Sequence, residues 1–159
     1  MRKLKIYLDT SVISYLEQPE RGDRHLDTLR FWEDVKADKY EVFISALVLE
    51  EIANCKEPKK TNLFNRVNGI KYNFIENVSD EVDYISSQII ETGILNAKNL
   101  YDCAHIATAI IARCDIIVSW NFKHMVNRDT INGVKAISLL NRCDVLEIYS
   151  PAVLLKGED

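Results

Sequence analysis

Short β-favouring apolar runs alternate with stretches of helical apolar spacing along the whole chain. The predicted strands are residues 6–8, 40–44, 72–76, 115–120 and 145–149. The predicted helices are residues 12–16, 25–37, 46–55, 63–67, 79–92, 99–111 and 134–142, and residues 56–62 are expected to form a surface connection. Strands separated by helices lie parallel in one sheet, with the helices on its faces. The alternation predicts an α/β fold, a three-layer α/β/α sandwich around a central, mainly parallel sheet.

The length of 159 residues fits a single domain, residues 1–159, that can bury a substantial core. Near its start, Arg2, Lys3 and Lys5 precede an apolar run that Asp9 interrupts. This run is too short for a signal peptide or a membrane span. We therefore expect a cytoplasmic protein that is not associated with a membrane.

The cysteines and the net charge further limit the class of protein to which this chain can belong. Positions 55, 103, 114 and 143 show no C-x-x-C spacing and no histidine at zinc-finger intervals. We expect reduced, mostly buried thiols, which suit a cytosolic protein. The net charge of −4 and the pI near 5.4 leave no basic footprint of a nucleic-acid binder. These values do not exclude nucleic-acid binding, because metal ions held by clustered carboxylates supply positive charge beside a phosphate.

Asp9 directly follows the first predicted strand, and a helical stretch comes next. In open α/β sheets, ligands gather beyond the carboxyl ends of the strands, which is where Asp9 would lie. A second interpretation is that Asp9 only caps the following helix, because Asp is a good N-cap residue.

Glu51 lies in the helix predicted after the second strand. Its spacing from Leu47 and Val48 turns it toward the apolar stripe, whereas Glu50 lies nearer to solvent. A carboxylate on the inward edge of a helix needs a partner, and a metal ion is one candidate. The alternative is a surface charge beside an imperfect stripe.

Asp102 lies in the first turn of the helix that begins near Asn99. Acidic residues favour this end of a helix, so a helix-start pattern is a sufficient explanation. The same position also places Asp102 beside the strand ends. His105 lies one turn further on. It could serve as a general base or as a metal ligand, but we prefer the interpretation that it is packed beside the core.

Ser119 and Asn121 stand at the end of the predicted strand 115–120, and Asp115 stands at its other end, remote from the strand's carboxyl edge. Lys123 and His124 follow, where they would meet a phosphate or remain solvated.

Four stretches together resemble the successive motifs of PIN domains, and in particular of VapC-like toxins. They are residues 8–12 (LDTSV), 44–52 (ISALVLEEI), 102–109 (DCAHIATA) and 118–124 (VSWNFKH). Their order and intervals match over nearly the whole chain. The resemblance implies the PIN-like form of the α/β/α sandwich.

The resemblance also implies site residues and an activity. Asp9 and Asp102 match the metal-binding aspartates of the family, Glu51 matches its helix glutamate, and Asn121 stands where the fourth acid often lies. Ser11 and Ser119 would support the first aspartate. The implied protein is a Mg²⁺- or Mn²⁺-dependent endoribonuclease that hydrolyses RNA. It would be the toxin of a type II toxin–antitoxin pair, a homodimer regulated by a small antitoxin protein.

Several basic residues are either candidate contacts to the RNA backbone or ordinary solvated surface residues, and the second interpretation is preferred for each: Arg21, Arg24, Lys56, Lys59, Lys60 and Lys123.

Two other functions remain open. Asn121 contributes no negative charge, so the second interpretation is a PIN-like scaffold that binds RNA or a protein with little or no catalysis. Haloacid-dehalogenase-type phosphatases also begin with a strand that ends in Asp. Their second Asp, two residues on, is Ser11 here, and no catalytic Lys motif is evident.

Overall fold

The computed structural model describes residues 2–76 and 79–157. In this part of the chain, a five-stranded sheet has the order β3-β2-β1-β4-β5, and every neighbouring pair is parallel. The strands are β1 Lys5–Leu8, β2 Glu41–Ser45, β3 Asn73–Ile75, β4 Ile116–Val118 and β5 Glu147–Tyr149. Helices cover both faces, so the α/β/α prediction is confirmed and the sheet is parallel throughout.

The helices follow the strands in the predicted alternation. They are α1 Thr10–Tyr15, α2 Asp23–Lys36, α3 Ala46–Ala53, α4 Lys59–Asn68, α5 Asp80–Glu91, α6 Leu100–Ile111, α7 Arg128–Leu140 and α8 Pro151–Lys156. Short 3-10 turns occur at Pro19–Arg21 and Ala97–Asn99. Among the described helices, none combines the length and the apolar character that crossing a membrane requires.

Two predicted helix starts are wrong because polar residues near the helix ends act as caps or first-turn acceptors. Helix α7 begins six residues before Val134, at Arg128, since the Asn127 side chain accepts a hydrogen bond from Thr130 N at 2.9 Å. Helix α4 begins within the predicted connection 56–62. There, the Glu57 carboxylate accepts a hydrogen bond from Thr61 N at 3.1 Å.

Helix α8 was not predicted at all. Ser150 caps it by accepting from Val153 N at 3.3 Å, and Pro151 occupies its first position, where a missing N–H costs nothing.

Strand β1 lies at the centre of the sheet and of the core. Ile6, Tyr7 and Leu8 are fully buried, and Leu8 is in register with Val118 of β4. The chain goes from β1 outward to β2 and β3, then returns to the other side of β1 at β4. Such a reversal creates a crevice at the carboxyl ends of the two central strands. Asp9 lies at this point.

The four cysteines are free, and two of them, Cys103 and Cys114, are buried. Burial raises the pKa of Cys103 to about 11 and that of Cys114 to about 12, so both remain thiols at neutral pH. Cys55 and Cys143 are only partly buried, so the prediction of buried thiols holds for half of them.

Candidate functional site

Asp9 is 5% exposed at the end of β1. It occupies the N-cap position of α1, but its side chain makes no capping hydrogen bond. Instead, Asp9 Oδ2 accepts one hydrogen bond from Ser11 Oγ and one from Ser119 Oγ, each at 2.7 Å. The interpretation of Asp9 as a helix cap is therefore wrong. Two hydroxyls fix the direction of its carboxylate.

The same two hydroxyls tie the loop after β4 to the end of β1. Ser11 Oγ accepts a hydrogen bond from Trp120 N at 2.9 Å, and Ser119 Oγ accepts one from Asn121 N at 2.9 Å. Because each hydroxyl donates to Asp9 and accepts from the loop backbone, both are well satisfied. The loop that carries Asn121 is therefore held beside Asp9.

Glu51 lies in α3, half-buried, while Glu50 is exposed, as the helical spacing predicts. The Oε1 atom of Glu51 accepts a hydrogen bond from His105 Nε2. Burial alone would raise the pKa of Glu51, but the hydrogen bond and the charge of His105 outweigh burial and lower it. The interpretation of Glu51 as a surface charge is wrong.

His105 belongs to a buried chain of hydrogen bonds that ends at Glu51. It is 1% exposed, and its Nδ1 lies 2.5 Å from Tyr7 Oη, which lies 2.7 Å from Ser45 Oγ. Ser45 also caps α3, the helix of Glu51, by accepting from Val48 N at 3.4 Å. We call Ser45, Tyr7, His105 and Glu51 the buried relay.

The relay corrects and extends the sequence prediction. His105 is packed in the core, as predicted, but it also holds a carboxylate of the site. Burial lowers the pKa of His105, yet the hydrogen bond to Glu51 and the nearby negative charges raise it overall. Tyr7 was not identified from the sequence. The available signal was its hydroxyl, because a tyrosine in a buried strand needs a hydrogen-bond partner.

Asp102 lies in the first turn of α6, as predicted. Burial and, next, the negative charge of Asp9 raise the pKa of Asp102. Asn99 precedes the helix without capping it, and its side-chain amide instead lies 3.2 Å from His124 Nε2. The Asn99 side chain therefore does not cap α6, whereas the place of Asp102 in the first turn agrees with the helix-start pattern.

Asn121 bridges Asp102 and its own turn. Its Nδ2 donates to Asp102 Oδ1 over 3.4 Å, and its Oδ1 accepts from His124 N at 3.0 Å. Asn121 therefore serves as a hydrogen-bond donor to Asp102 in this arrangement. Asp115 lies at the opposite end of β4, where it binds Arg2, in agreement with the prediction that it is remote.

The carboxylates open into one cleft of about 340 Å³. Its lining contains all four predicted site residues and one predicted supporting serine, Ser11: Asp9, Thr10, Ser11, Ser14, Tyr15, Glu51, Asp102, Trp120 and Asn121. Ser119 is fully buried beneath Asp9. Sequence reasoning missed Tyr15 and Trp120 as lining residues.

The donor set fits a hard divalent cation. Among the described residues, no side chain donates to Asp9 Oδ1 or Asp102 Oδ2. In the described ranges, no group of three or more His, Cys, Asp or Glu side chains is arranged so that it could hold a metal ion by itself. Mg²⁺ does not depend on such a group of protein ligands. It binds through one or two carboxylates and keeps several waters for substrate phosphates.

Three solved structures are similar to this chain in fold. VapC20 of Mycobacterium tuberculosis, a Sarcin–Ricin loop cleaving toxin, is 17% identical with a TM-score of 0.57 and matches 75% of this chain and 92% of its own. VapBC2 of Rickettsia felis, bound to a promoter DNA fragment, is 15% identical with a TM-score of 0.54 over 91% of this chain and 98% of its own. DNA-bound VapBC of Salmonella typhimurium is 17% identical with a TM-score of 0.53 over 93% and 98%.

By sequence, no curated protein matches the chain. The family model of the PIN domain does match, over residues 6–124, and that span includes Asp9, Glu51, Asp102 and Asn121. The sheet order, the acidic cleft at the central strands and this match agree, and the chain belongs to the PIN domain family.

Proposed function

We propose that this protein is a Mg²⁺- or Mn²⁺-dependent endoribonuclease that hydrolyses phosphodiester bonds in RNA. The observation that supports this most is that no side chain of the described residues donates to Asp9 Oδ1 or Asp102 Oδ2, two oxygens in the cleft at the carboxyl ends of β1 and β4. A cleft of carboxylates repels phosphate by itself, so the proposed function requires a cation between them.

Each residue of the cleft would have a separate task. A bound divalent ion would supply an activated water and stabilise charge on the phosphoryl group. Asp9, held by Ser11 and Ser119, and Asp102, held by Asn121, would present oxygens to that ion. Glu51, fixed by His105, would present the remaining carboxylate from the opposite helix.

The partners follow from the family and from the solved relatives. VapC20 is described as a toxin that cleaves the Sarcin–Ricin loop, and two other relatives are VapBC complexes on DNA. We therefore propose that the chain acts on RNA as the toxin of a type II pair, as one domain in a homodimer, and that a small antitoxin protein regulates it.

The test is cleavage of a mixed pool of structured RNA by purified protein. Cleavage should require added Mg²⁺ or Mn²⁺, stop with EDTA and return when the metal is restored. Cleavage that continues in EDTA would contradict the metal-dependent proposal.

A second candidate function is a PIN-like scaffold that binds RNA or a protein with little catalysis. The observation that favours it is Asn121, which places an amide instead of a carboxylate beside Asp102. Absence of both RNA cleavage and Mn²⁺ binding in the wild-type protein would favour the scaffold.

Asn121→Asp tests whether the missing negative charge at this position limits metal binding. Replacing the amide donor with a carboxylate adds one negative charge near Asp102, so we expect Mn²⁺ to bind about tenfold more tightly, which corresponds to about 1.4 kcal/mol. RNA cleavage should also become faster. Calorimetric titration of Mn²⁺ and initial cleavage rates measure both effects.

The matched control for this variant is Asn62→Asp, which adds the same charge on the exposed first turn of α4. The control should change neither quantity. An unchanged or slower rate in Asn121→Asp would contradict the expectation and indicate that the amide donor to Asp102 is itself required.

A further inference from the structure

A second and larger cavity lies beside the acidic cleft and shares no lining residue with it. Its volume is about 860 Å³, and its lining comes from the end of α5, the loop to α6, the turn after β4 and the first turn of α7. His124 lines this cavity, and its backbone N–H donates to Asn121 Oδ1 of the cleft at 3.0 Å. The cavity is large enough for a small organic ligand and is next to the proposed catalytic site.

Three hydrogen-bond donors of basic side chains line the cavity. Lys123 and Arg128 are exposed, and neither forms an ion pair within the described part of the chain. The Asn99 amide nitrogen can only donate, so His124 Nε2, at 3.2 Å, accepts from it. In the neutral ring the proton of His124 is therefore on Nδ1, which has no hydrogen-bond partner among the described residues. These donors suit a phosphate group.

An apolar surface lies in the same cavity. Ile90 and Ile94 are half-buried there, and Leu95 is 7% exposed. Ile94 is held in place by α7, because its Cγ1 occupies the space where a Cβ on Gly133 would stand, at 2.6 Å from it. A fixed apolar surface beside basic groups suits a ligand that carries both an apolar body and an anionic group.

Asp129 narrows the class of ligand. Its carboxylate lines the same cavity and has no hydrogen-bond or ion-pair partner among the described residues. A carboxylate repels an acidic peptide, but it accepts hydrogen bonds from hydroxyl groups, as one does from ribose in dinucleotide-binding folds. A nucleotide has a phosphate for the basic groups, hydroxyls for Asp129 and a planar base for the apolar surface.

We propose that this cavity is a nucleotide-binding site, separate from the carboxylates of the cleft. The phosphate contacts Lys123, His124 and Arg128, a ribose hydroxyl donates to Asp129, and the base packs on Ile94 and its apolar neighbours. The nucleotide is either free in solution or the unit of an RNA chain that adjoins the bond in the cleft. The second source rests on the proposed function.

Calorimetric titration of 5′-AMP into the protein in EDTA tests the cavity without metal and without cleavage. Adenosine and inorganic phosphate are titrated separately as the two parts of this probe. We expect 5′-AMP to bind saturably and at least about tenfold more tightly than either part, since each part uses only some of the contacts. Lys123→Ala and Arg128→Ala should each bind 5′-AMP about tenfold more weakly, because each loses a charged donor.

Asp129→Ala should respond differently from these two variants. Removal of a negative charge should leave inorganic phosphate bound at least as tightly as before. The advantage of 5′-AMP over inorganic phosphate should fall by about tenfold, because the ribose loses its acceptor. An unchanged advantage would mean that Asp129 does not contact the ribose and would overturn this part of the proposal.

The chain offers matched controls. Arg30→Ala and Lys156→Ala remove the same two charges from exposed positions of α2 and α8 that are outside the cavity. Asp80→Ala removes an exposed carboxylate from the first turn of α5, as Asp129→Ala does from α7. All three controls should bind 5′-AMP within about twofold of the wild-type protein, since surface changes away from a site have small effects.

A competition experiment in EDTA distinguishes the two sources of the nucleotide. If the site holds a unit of the RNA chain, an excess of structured RNA should displace 5′-AMP, and Arg128→Ala should raise the KM of RNA cleavage. If the site holds a free nucleotide, 5′-AMP should bind with the same affinity in the presence of RNA, and Arg128→Ala should leave that KM unchanged.

Four outcomes would overturn the proposal: no saturable binding of 5′-AMP, equal affinity for inorganic phosphate, equal losses in the controls, or displacement of 5′-AMP by oligoglutamate as readily as by inorganic phosphate. The last outcome would indicate an acidic protein segment as the ligand. These outcomes leave the proposed function standing, because the titration needs neither metal nor cleavage. Binding of 5′-AMP without metal-dependent RNA cleavage would instead overturn the proposed function and retain the nucleotide site.

Discussion

Asp9→Asn is expected to lower metal-dependent RNA cleavage by more than about a hundredfold while the fold stays intact. The substitution keeps the size of the side chain and an oxygen that can accept from Ser11 and Ser119. It removes the negative charge that would hold the cation, and metal ions typically supply several kcal/mol of transition-state stabilisation. Single-turnover cleavage rates measure the loss, and circular dichroism with the melting temperature checks the fold.

Asp115→Asn is the matched control for this prediction. Asp115 lies at the other end of β4, accepts two hydrogen bonds of 2.8 Å from Arg2 and is outside the cleft. This variant should cleave at the wild-type rate. Full activity in Asp9→Asn, or an equal loss in both variants, would mean that Asp9 is not part of the catalytic site.

His105→Leu is expected to produce the second large effect, a loss of Mn²⁺ affinity of about tenfold or more. Residues that orient metal ligands typically contribute 10- to 100-fold to metal affinity. Leucine fills the buried volume but cannot donate to Glu51 or accept from Tyr7. The Tyr7 hydroxyl keeps its hydrogen bond with Ser45 and loses the one with His105, which should lower the free energy of unfolding by about 0.5–1.5 kcal/mol.

The variant His105→Gln separates the effect of His105 on the orientation of Glu51 from its effect on the stability of the protein. A glutamine amide can donate to Glu51 much as Nε2 does, so this variant should recover part of the Mn²⁺ affinity. Calorimetric titration and urea denaturation measure the two quantities side by side. If both variants lose stability but retain wild-type Mn²⁺ affinity, the relay is a core hydrogen-bond network and does not position Glu51 for a metal.

Much of the site was predictable from sequence because its residues lie at the ends of strands or at the starts of helices. Asp9, Asp102 and Asn121 each follow a strand or begin a helix, and parallel strands bring their carboxyl ends to one edge of the sheet. The positions of these residues at the ends of strands and helices therefore predicted that they lie close together in the fold, although they are far apart in the sequence. The direction of Glu51 was also predictable, because helical spacing turns it inward and leaves Glu50 in solvent.

The buried relay and the stacked rings of Tyr15 and Trp120 were not predictable in the same way. Tyr7 occurs in an apolar run that is typical of any buried strand, and its partners His105 and Ser45 lie 98 and 38 residues away. The stacking of Tyr15 on Trp120 likewise depends on the packing of α1 against the loop after β4. Such pairings are set by tertiary packing and leave no periodic signal in the sequence.

The missed helix ends have a local cause. Asn127 and Ser150 cap α7 and α8, but such residues also favour turns, where their side chains bind nearby backbone groups. Their sequence signature is the same in both settings. The capping role is decided only when the following residues pack against the sheet.

Calorimetric titration of Mn²⁺ into metal-free wild-type protein and into Asp9→Asn tests the central claim most directly. The claim is that the open oxygens of Asp9 and Asp102 form a divalent-cation site in the cleft. We predict saturable Mn²⁺ binding in the wild-type protein and binding at least about tenfold weaker in Asp9→Asn, because one of few hard-ligand charges is lost. Absence of Mn²⁺ binding in the wild-type protein, or the same affinity in the variant, would contradict the claim.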